Sequence, residues 1–386
     1  MKKLRKHLGT AICLSAALLV CLGLGGSLVR AEDKAPVKIG IVYSSSGSQA
    51  HTGLQEANVI KMLVDEVNAA GGVNGHPVRA ILEKSVNAAK KLVFSNKVHV
   101  LMGANTSSAI KAIQQQVAEA QKVPYISMVG SDPALTKLGQ QWYFRNSLSA
   151  DYQTGSIIDY AINVHKLKTF AMIFDAASAS DQAKAFEEGL KKAGITLVAK
   201  GQFKTGDTSF NAQLLKIKQA NPDALVTIGV APEAAGIAKQ VRDLGMNVRI
   251  IGLVAIVYDE YITLGGSAAE GTIAASAFRV DNPDPNVQAF VKKYKSKFNE
   301  SPDHAAAQTY DALQVLFKAL RDAKLGLTDD ALAEDRKQIR DALTRINDYN
   351  GVVGHLSYGP KDRDAYHKTL VVEVKGGKWT VVKSAK

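Results

Sequence analysis

The chain carries only two cysteines, Cys13 and Cys21, and both lie in an apolar leader that ends near residue 31. Without that leader the protein has no thiol, which excludes a disulfide framework and any site built on cysteine. The eight histidines are dispersed with no H-x-x-x-H pair, so a catalytic zinc ion has no ligand set. No G-x-G-x-x-G follows the first predicted strand and no G-x-x-x-x-G-K-[ST] occurs anywhere, so the loops that hold dinucleotides and nucleotide phosphates are missing. Basic residues neither cluster nor interleave with aromatics, which argues against a nucleic-acid partner. No cofactor and no metal is expected.

What is present begins with the leader. MKKLRKH is a basic n-region, LGTAICLSAALLVCLGLGGSL an apolar h-region, and Val29-Arg30-Ala31 suits a cleavage site. Residues 1–31 are therefore expected to be a signal peptide, with export and a mature start at Glu32. An uncleaved membrane anchor is the competing reading, since the apolar run is borderline in length. A lipidated cysteine fits poorly, because Val20 precedes Cys21 where a small residue is needed. Cleavage removes Lys2, Lys3, Arg5, Lys6 and Arg30, so the formal charge of +12 falls by five to +7. Spread along the chain, that charge serves solubility and attraction of anionic solutes.

Beyond the leader the chain alternates. VKIGIVY (Val37 to Tyr43) reads as a buried strand that enters the small-residue loop SSSGSQAHTG, then a helix from about Leu54 to Ala70 ended by Gly71-Gly72. PVRAILEK follows as a strand and Ala88 to Ser95 as a helix. After WYFRNSLSADYQTG, read as a strand and a polar crossing segment, the pattern restarts with a helix from Gly155 to Val164 and strand TFAMIF. Helices at Asp181 to Ala193, Ser209 to Ala220 and Pro232 to Leu244 then alternate with strands ITLVAKGQF, DALVTIGV and VRIIGLV, and strand GTIAASAF follows from Gly271. Such alternation predicts an α/β fold with parallel sheets covered by helices on both faces, in two lobes of similar build. Three helical stretches follow, near Asn286 to Phe298, Ala305 to Ala323 and Asp329 to Ile346. The end reads as short antiparallel strands with a Gly-Gly hairpin.

The most informative stretch runs from Lys97 to Pro133. VHVLM is a short strand ending at Gly103, and past Ala104, Asn105 and Thr106 the pair Ser107-Ser108 opens a helix. VPYISMV then delivers Gly130, Ser131 and Asp132 to a neighbouring loop. Both turns fall at the carboxyl ends of adjacent strands, the edge where open α/β sheets bind ligands. Either turn alone is an ordinary cap or turn; two donor-rich turns side by side favour a small carboxylate.

Catalytic constellations are weak by comparison. Ser108-x-x-Lys111 spells the S-x-x-K of serine acylases, but the partner motifs are absent. Asp175 and Asp181 form a possible acid pair, yet one ends a strand and the other begins a helix, where capping roles suffice. Without a coherent nucleophile, base and oxyanion set, no enzymatic activity is expected.

In the order VKIGIVYSSSGS, VNAAGGVNG, LMGANTSSAIKAIQQQVAEAQKVPYIS, SDPALT, ADYQTG, IFD, DTSFNAQLLKIKQANPDAL, PEAAGIAKQVRDLG and QTYDALQ, the chain resembles the ABC-transporter solute-binding proteins of the type I periplasmic class. The similarity is to the leucine/isoleucine/valine-binding branch and covers essentially Val37 to Val382. It implies two Rossmann-like lobes joined by a three-strand hinge, a ligand cleft between them, and docking on a membrane permease. Residues 37–148 plus 277–347 would form lobe 1, and 149–276 plus 348–386 lobe 2. The expected working form is a monomer. By the same resemblance Ser107, Gly130 and Ser131 would hold a ligand carboxylate, through charge-assisted hydrogen bonds of about 1.5 to 3 kcal/mol each. Asn105 beside them, Tyr43, His51 and Thr52 on the first loop, and Tyr152 and Gln153 on a crossing are further cleft candidates.

The ammonium side departs from the family. Ala179 or a neighbour stands where a tyrosine after IFD is expected, Val230 and Ala231 replace aromatics, and Leu253, Val254 and Ala255 occupy the region of the expected glutamate. Enclosing an ammonium without an acidic partner costs several kcal/mol. The expected ligand is therefore an aromatic or aliphatic carboxylic acid, with Ala179, Val230 and Val254 on its apolar side. A shift of register by a residue or two would instead bring in Asp175, Asp181, Glu233 or Asp259, and with it a branched-chain or other hydrophobic amino acid. A sensor subunit would need the same hinge and is the other alternative. EKSVNAAKK is short for the loop after the second strand, which would leave the cleft edge more open.

Overall fold

The computed structural model describes residues 34–84, 87–137, 140–366 and 369–383. The leader and the expected cleavage point at Ala31 lie outside them, as does part of the EKSVNAAKK loop. Among the described residues no helix is long and apolar enough to cross a membrane.

Two sheets organise the chain, and each has the same internal order. The first contains β1 (Val37–Val42), β2 (Val78–Glu83), β3 (Val100–Gly103), β4 (Tyr125–Ser127) and β5 (Tyr143–Leu148), arranged β2-β1-β3-β4-β5 and all parallel. The second repeats this arrangement as β7-β6-β8-β9-β10, from β6 (Phe170–Asp175), β7 (Leu197–Phe203), β8 (Ala224–Ile228), β9 (Arg249–Gly252) and β10 (Ile273–Ser276). Strands such as YFRNSL and FAMIFD are buried along their whole length, as expected of parallel strands covered on both faces. LVAKGQF at the edge alternates between half-buried and exposed residues.

Helices α1 (Ala50–Ala69), α2 (Ala88–Phe94), α3 (Ser107–Ile113) and α4 (Ala134–Lys137) connect the first sheet. The second sheet is served by α5 (Ala150–Asn163), α6 (Ser180–Lys192), α7 (Asn211–Gln219), α8 (Ala231–Asp243) and α9 (Asp259–Gly265). α10 (Pro285–Phe298), α11 (His304–Asp322) and α12 (Leu332–Leu343) return to the first lobe, where Phe290, Leu316 and Ile339 pack with Ile39 and Met102 of the sheet.

The chain passes between the sheets at three places: after Leu148, after Ser276, and between Tyr366 and Leu370. The expected division at residue 348 lies ahead of the last of these. Short strands β11 (Tyr349–Asn350) and β12 (His355–Leu356) pair with each other, and β13 (Asp364–Tyr366) extends the first sheet beside β5. Val352, Leu356, Tyr358 and Tyr366 belong to the first core. Only β14 (Leu370–Lys375) and β15 (Lys378–Lys383) join the second sheet, antiparallel, around the turn Gly376-Gly377.

Two helices begin earlier than the periodicity predicts. α1 starts at Ala50, so His51 and Thr52 are helical rather than on a loop; Thr52, Gly53, Gln55 and Glu56 are all buried. Small and polar residues disguise this turn, and Gly53 is required because a Cβ there would lie 1.8 Å from the Ser44 carbonyl oxygen. α5 likewise starts at Ala150, which places Tyr152 and Gln153 on its first turn and not on a crossing strand.

Candidate functional site

The turns at the strand ends of both sheets face one another across a cleft that holds a cavity of about 80 Å³. First-lobe walls come from Thr52, Asn105, Ser107, Gly130 and Ser131; second-lobe walls come from Ala179, Val230, Val254 and Ala255. Eight of the ten sequence-derived candidates thus line one space. Tyr43 and Tyr152 do not: Tyr43 is packed against the first-lobe core, and Tyr152 sits on the first turn of α5. His51 and Gln153 also lie off the cavity, with His51 bonded to Asp303 at 3.0 Å. Gln153 instead ties the wall in place, donating to the Leu148 carbonyl at 2.8 Å and accepting from the Val254 amide at 3.0 Å.

Ser107 is not the cap of α3. Thr106 is, accepting from the Ala109 amide at 3.3 Å, which leaves the Ser107 hydroxyl for other work. Its oxygen accepts the Asp132 amide proton at 3.3 Å. The hydroxyl's own proton therefore remains to be donated. Gly130 has φ +104, and a Cβ on it would meet Ile110 Cδ1 at 2.3 Å, so only glycine allows this close turn. Its carbonyl accepts from the Ser147 hydroxyl at 2.8 Å, while Arg145 Nη1 donates to the Asp132 carbonyl at 2.5 Å. The turn is held rigidly from behind.

Asn105 is fixed from two sides. Its Oδ1 accepts from the Ser44 amide at 2.7 Å and its Nδ2 donates to Glu56 Oε2 at 2.8 Å. Glu56 is fully buried, and burial pushes its carboxyl up to about 8 against the opposing effect of the Asn105 bond. At neutral pH it is mostly protonated, so no full negative charge stands behind the anchor.

Sequence reasoning missed the far end of the cleft. Tyr258, from the loop before α9, passes its hydroxyl between Thr52 Oγ1 and His304 Nε2, each 3.1 Å away. It is thus a second-lobe residue bonded to two first-lobe helices. Burial lowers the His304 pKa, keeping the imidazole neutral and able to accept. Gln308, 1 % exposed, also lines the cavity with an Nε2 that has no partner. QTYDALQ contained Gln308, but helical periodicity gave no reason to separate it from a core position.

Among the described residues no aspartate, glutamate, lysine or arginine lines the cavity. Asp175 is consumed by its own turn, accepting from Ala177 and Ser178 amides and from the Ser178 and Thr205 hydroxyls, bonds that together lower its pKa despite burial. Glu233 accepts from the Gly206 amide at 2.9 Å. Asp181 and Asp259 border other grooves.

Two parallel-sheet lobes of matching order, with a cavity between their strand ends, define a type I periplasmic binding protein. A family model described as periplasmic binding protein matches residues 36–378, and the chain belongs to that family. It is 28% identical over 334 residues to the Leu/Ile/Val-binding protein BraC3 of Rhizobium johnstonii, covering 84% of this chain and 88% of the relative. Among solved structures it is similar to the branched-chain amino acid transporter substrate-binding protein LivJ of Streptococcus pneumoniae in complex with isoleucine. The TM-score there is 0.79 at 30% identity, covering 90% of this chain and 99% of that one. The solute-binding protein of an ABC transporter from Rhodopseudomonas palustris BisB5, in complex with 3,4-dihydroxybenzoic acid, shares the fold at TM-score 0.78 and 23% identity, covering 92% and 99%.

Proposed function

We propose that this protein is the extracytoplasmic, non-catalytic capture subunit of an ABC importer and that it binds a small carboxylate lacking an ammonium group, with an aromatic or aliphatic body. The supporting observation is the cavity's composition: hydroxyls of Ser107 and Ser131 at one end, alanines and valines opposite, and no acidic side chain among the described residues. Neutral donors suffice to hold a carboxylate, since a hydrogen bond to a charged group contributes about 1.5–3 kcal/mol. An ammonium in the same space has no counter-charge. Binding draws the lobes together about the three crossings, and the closed form is what the membrane permease recognises. Export by cleavage after Ala31, and action as a monomer in the periplasm, belong to the same reading.

A branched-chain amino acid is the second reading, favoured by the similarity to BraC3 and LivJ. A thermal-shift screen of protein unfolded and refolded to strip carried-over ligand separates the two. One panel holds leucine, isoleucine, valine and other amino acids; the other holds aromatic and aliphatic acids. A ligand that binds only the native state raises stability by RT ln(1 + [L]/Kd), so a micromolar binder is visible at millimolar concentration. Stabilisation by ammonium-free acids alone supports the first reading, and stabilisation by leucine or valine replaces it with the second.

A further inference from the structure

A bare carboxylate in the cleft leaves Gln308 unexplained. This residue of α11 is almost fully buried and lines the cavity, and its Nε2 has no hydrogen-bond partner among the described residues. Buried polar side-chain atoms are ordinarily paired, so an unpaired amide donor on the wall of a ligand space marks where a ligand acceptor belongs. Polar groups near it are spoken for: the Tyr258 hydroxyl serves Thr52 and His304, and the Ser147 hydroxyl serves the Gly130 carbonyl. The Gln308 backbone is fixed as well, its carbonyl accepting from Asn146 Nδ2 of β5 at 2.7 Å.

The fold separates this donor from the carboxylate anchor. Successive residues of a strand point to opposite faces of the sheet, and on β3 Val100 and Met102 share a core with Leu316 of α11, whereas Leu101 shares another with Ile110 of α3. Helices α11 and α3 therefore cover opposite faces of the first sheet. Ser107, which opens α3, and Gln308, on α11, reach the cavity from the two sides of the sheet's edge. Both oxygens of a carboxylate sit on one carbon, so a carboxylate held by Ser107 leaves Gln308 to a different part of the ligand.

We propose that Gln308 is a specificity-determining residue of the cleft, donating to a second oxygen of the ligand remote from the carboxylate. The cleft then selects hydroxy- or oxo-substituted carboxylic acids over their unsubstituted parents. This rests on the carboxylate reading of the cleft and narrows it. Ala179, Val230 and Val254 accept the apolar body of either kind of acid. Only the substituted acid supplies an acceptor, and the parent leaves a buried amide proton unpaired, which is how a site built to hydrogen-bond a group rejects the analogue lacking it.

The test is titration calorimetry of the full protein, refolded to strip carried-over ligand, with benzoate against meta- and para-hydroxybenzoate and pentanoate against levulinate. At least one oxygenated acid is expected to bind about fivefold or more tightly than its own parent. Gln308→Met keeps the length of the side chain and removes the amide; it is expected to weaken that acid by the same factor and to leave its parent unchanged or tighter. Parents that bind as tightly as all their oxygenated partners in wild type overturn this proposal while the carboxylate site stands. An equal loss for parent and partner in Gln308→Met also overturns it alone, because the amide then serves the carboxylate itself. If no acid of any pair binds, the carboxylate reading fails and this proposal with it. Should Gln308→Met not fold, the wild-type pairs decide.

Discussion

The Asp132 amide donates to the Ser107 hydroxyl oxygen across 3.3 Å, so the two donor-rich turns at the strand ends are bonded to each other. One partner's acceptor is used, and its proton stays available. Ser107→Ala removes both functions. Affinity for a cleft carboxylate is expected to fall by about 1–3 kcal/mol, the cost of a lost hydrogen bond to a charged group, with the unfolding midpoint little changed. Titration calorimetry with the acid found in the screen measures it. Unchanged affinity would remove the carboxylate from this turn.

Tyr258→Phe tests the contact between lobes. The hydroxyl bonds to Thr52 and His304 are lost while the ring keeps its packing beside His51 and His304. At about 1 kcal/mol per neutral bond, the closed arrangement loses about 1–3 kcal/mol. Small-angle scattering of the ligand-free variant is expected to show a larger radius than wild type, and affinity to fall by roughly tenfold or somewhat more. An identical radius with identical affinity would mean that the bridge carries no closure energy.

Glu56 sets a pH dependence of definite sign. Its carboxyl titrates near 4.5 when unfolded and about 8 when folded, so the native state holds the proton more tightly. Stability from this group is complete below the lower value and is lost as pH rises through the window to the upper one. Asp311, buried and raised to about 6, adds the same slope over the lower part. Ionisation of Glu56 also places a negative charge behind Asn105, so anion affinity is expected to weaken above pH 8. In Glu56→Gln the loss between pH 6 and 8 is expected to shrink, as read from urea midpoints. A slope equal to wild type would show that Glu56 is ionised in the native protein.

The sheets were legible because parallel strands announce themselves as apolar runs, and the Lys97 to Pro133 unit was legible because its turns interrupt such runs. Helix starts were not. Ala50 to Gly53 and Ala150 to Gln153 read as loop and crossing because the histidine, threonine and glycine of the first and the aspartate and tyrosine of the second are weak helix formers. Their helicity depends on contacts distant in sequence, as with Thr52 bonded to Tyr258 and Gln153 to Val254. The pairing of β13 with β5 was not legible for a related reason: β13 is three residues long, and nothing in DAY foretells it. Tyr258 and His304 come together from positions 46 residues apart, a juxtaposition that no local pattern encodes.

Arg145 supplies the sharpest test of how the anchor turn is held. It is fully buried on β5 and forks onto Asp364 of β13, with Nε to Oδ1 at 2.5 Å and Nη2 to Oδ2 at 2.9 Å. Its Nη1 reaches the Asp132 carbonyl. Removing one member of a buried ion pair costs about 3–5 kcal/mol, because the other is left uncompensated, whereas replacing both with apolar residues can be nearly neutral. Arg145→Met is therefore expected to lower stability by that amount in urea unfolding, and Arg145→Met with Asp364→Leu to recover most of it. Ligand affinity is expected to behave differently. In the double variant the Asp132 carbonyl still lacks its donor, so the Gly130–Asp132 turn loosens and carboxylate binding stays weak although the fold is restored. Recovery of affinity together with stability would show that the turn is shaped by Gly130 and Ser147 alone, with Arg145 serving only the joint between β5 and β13.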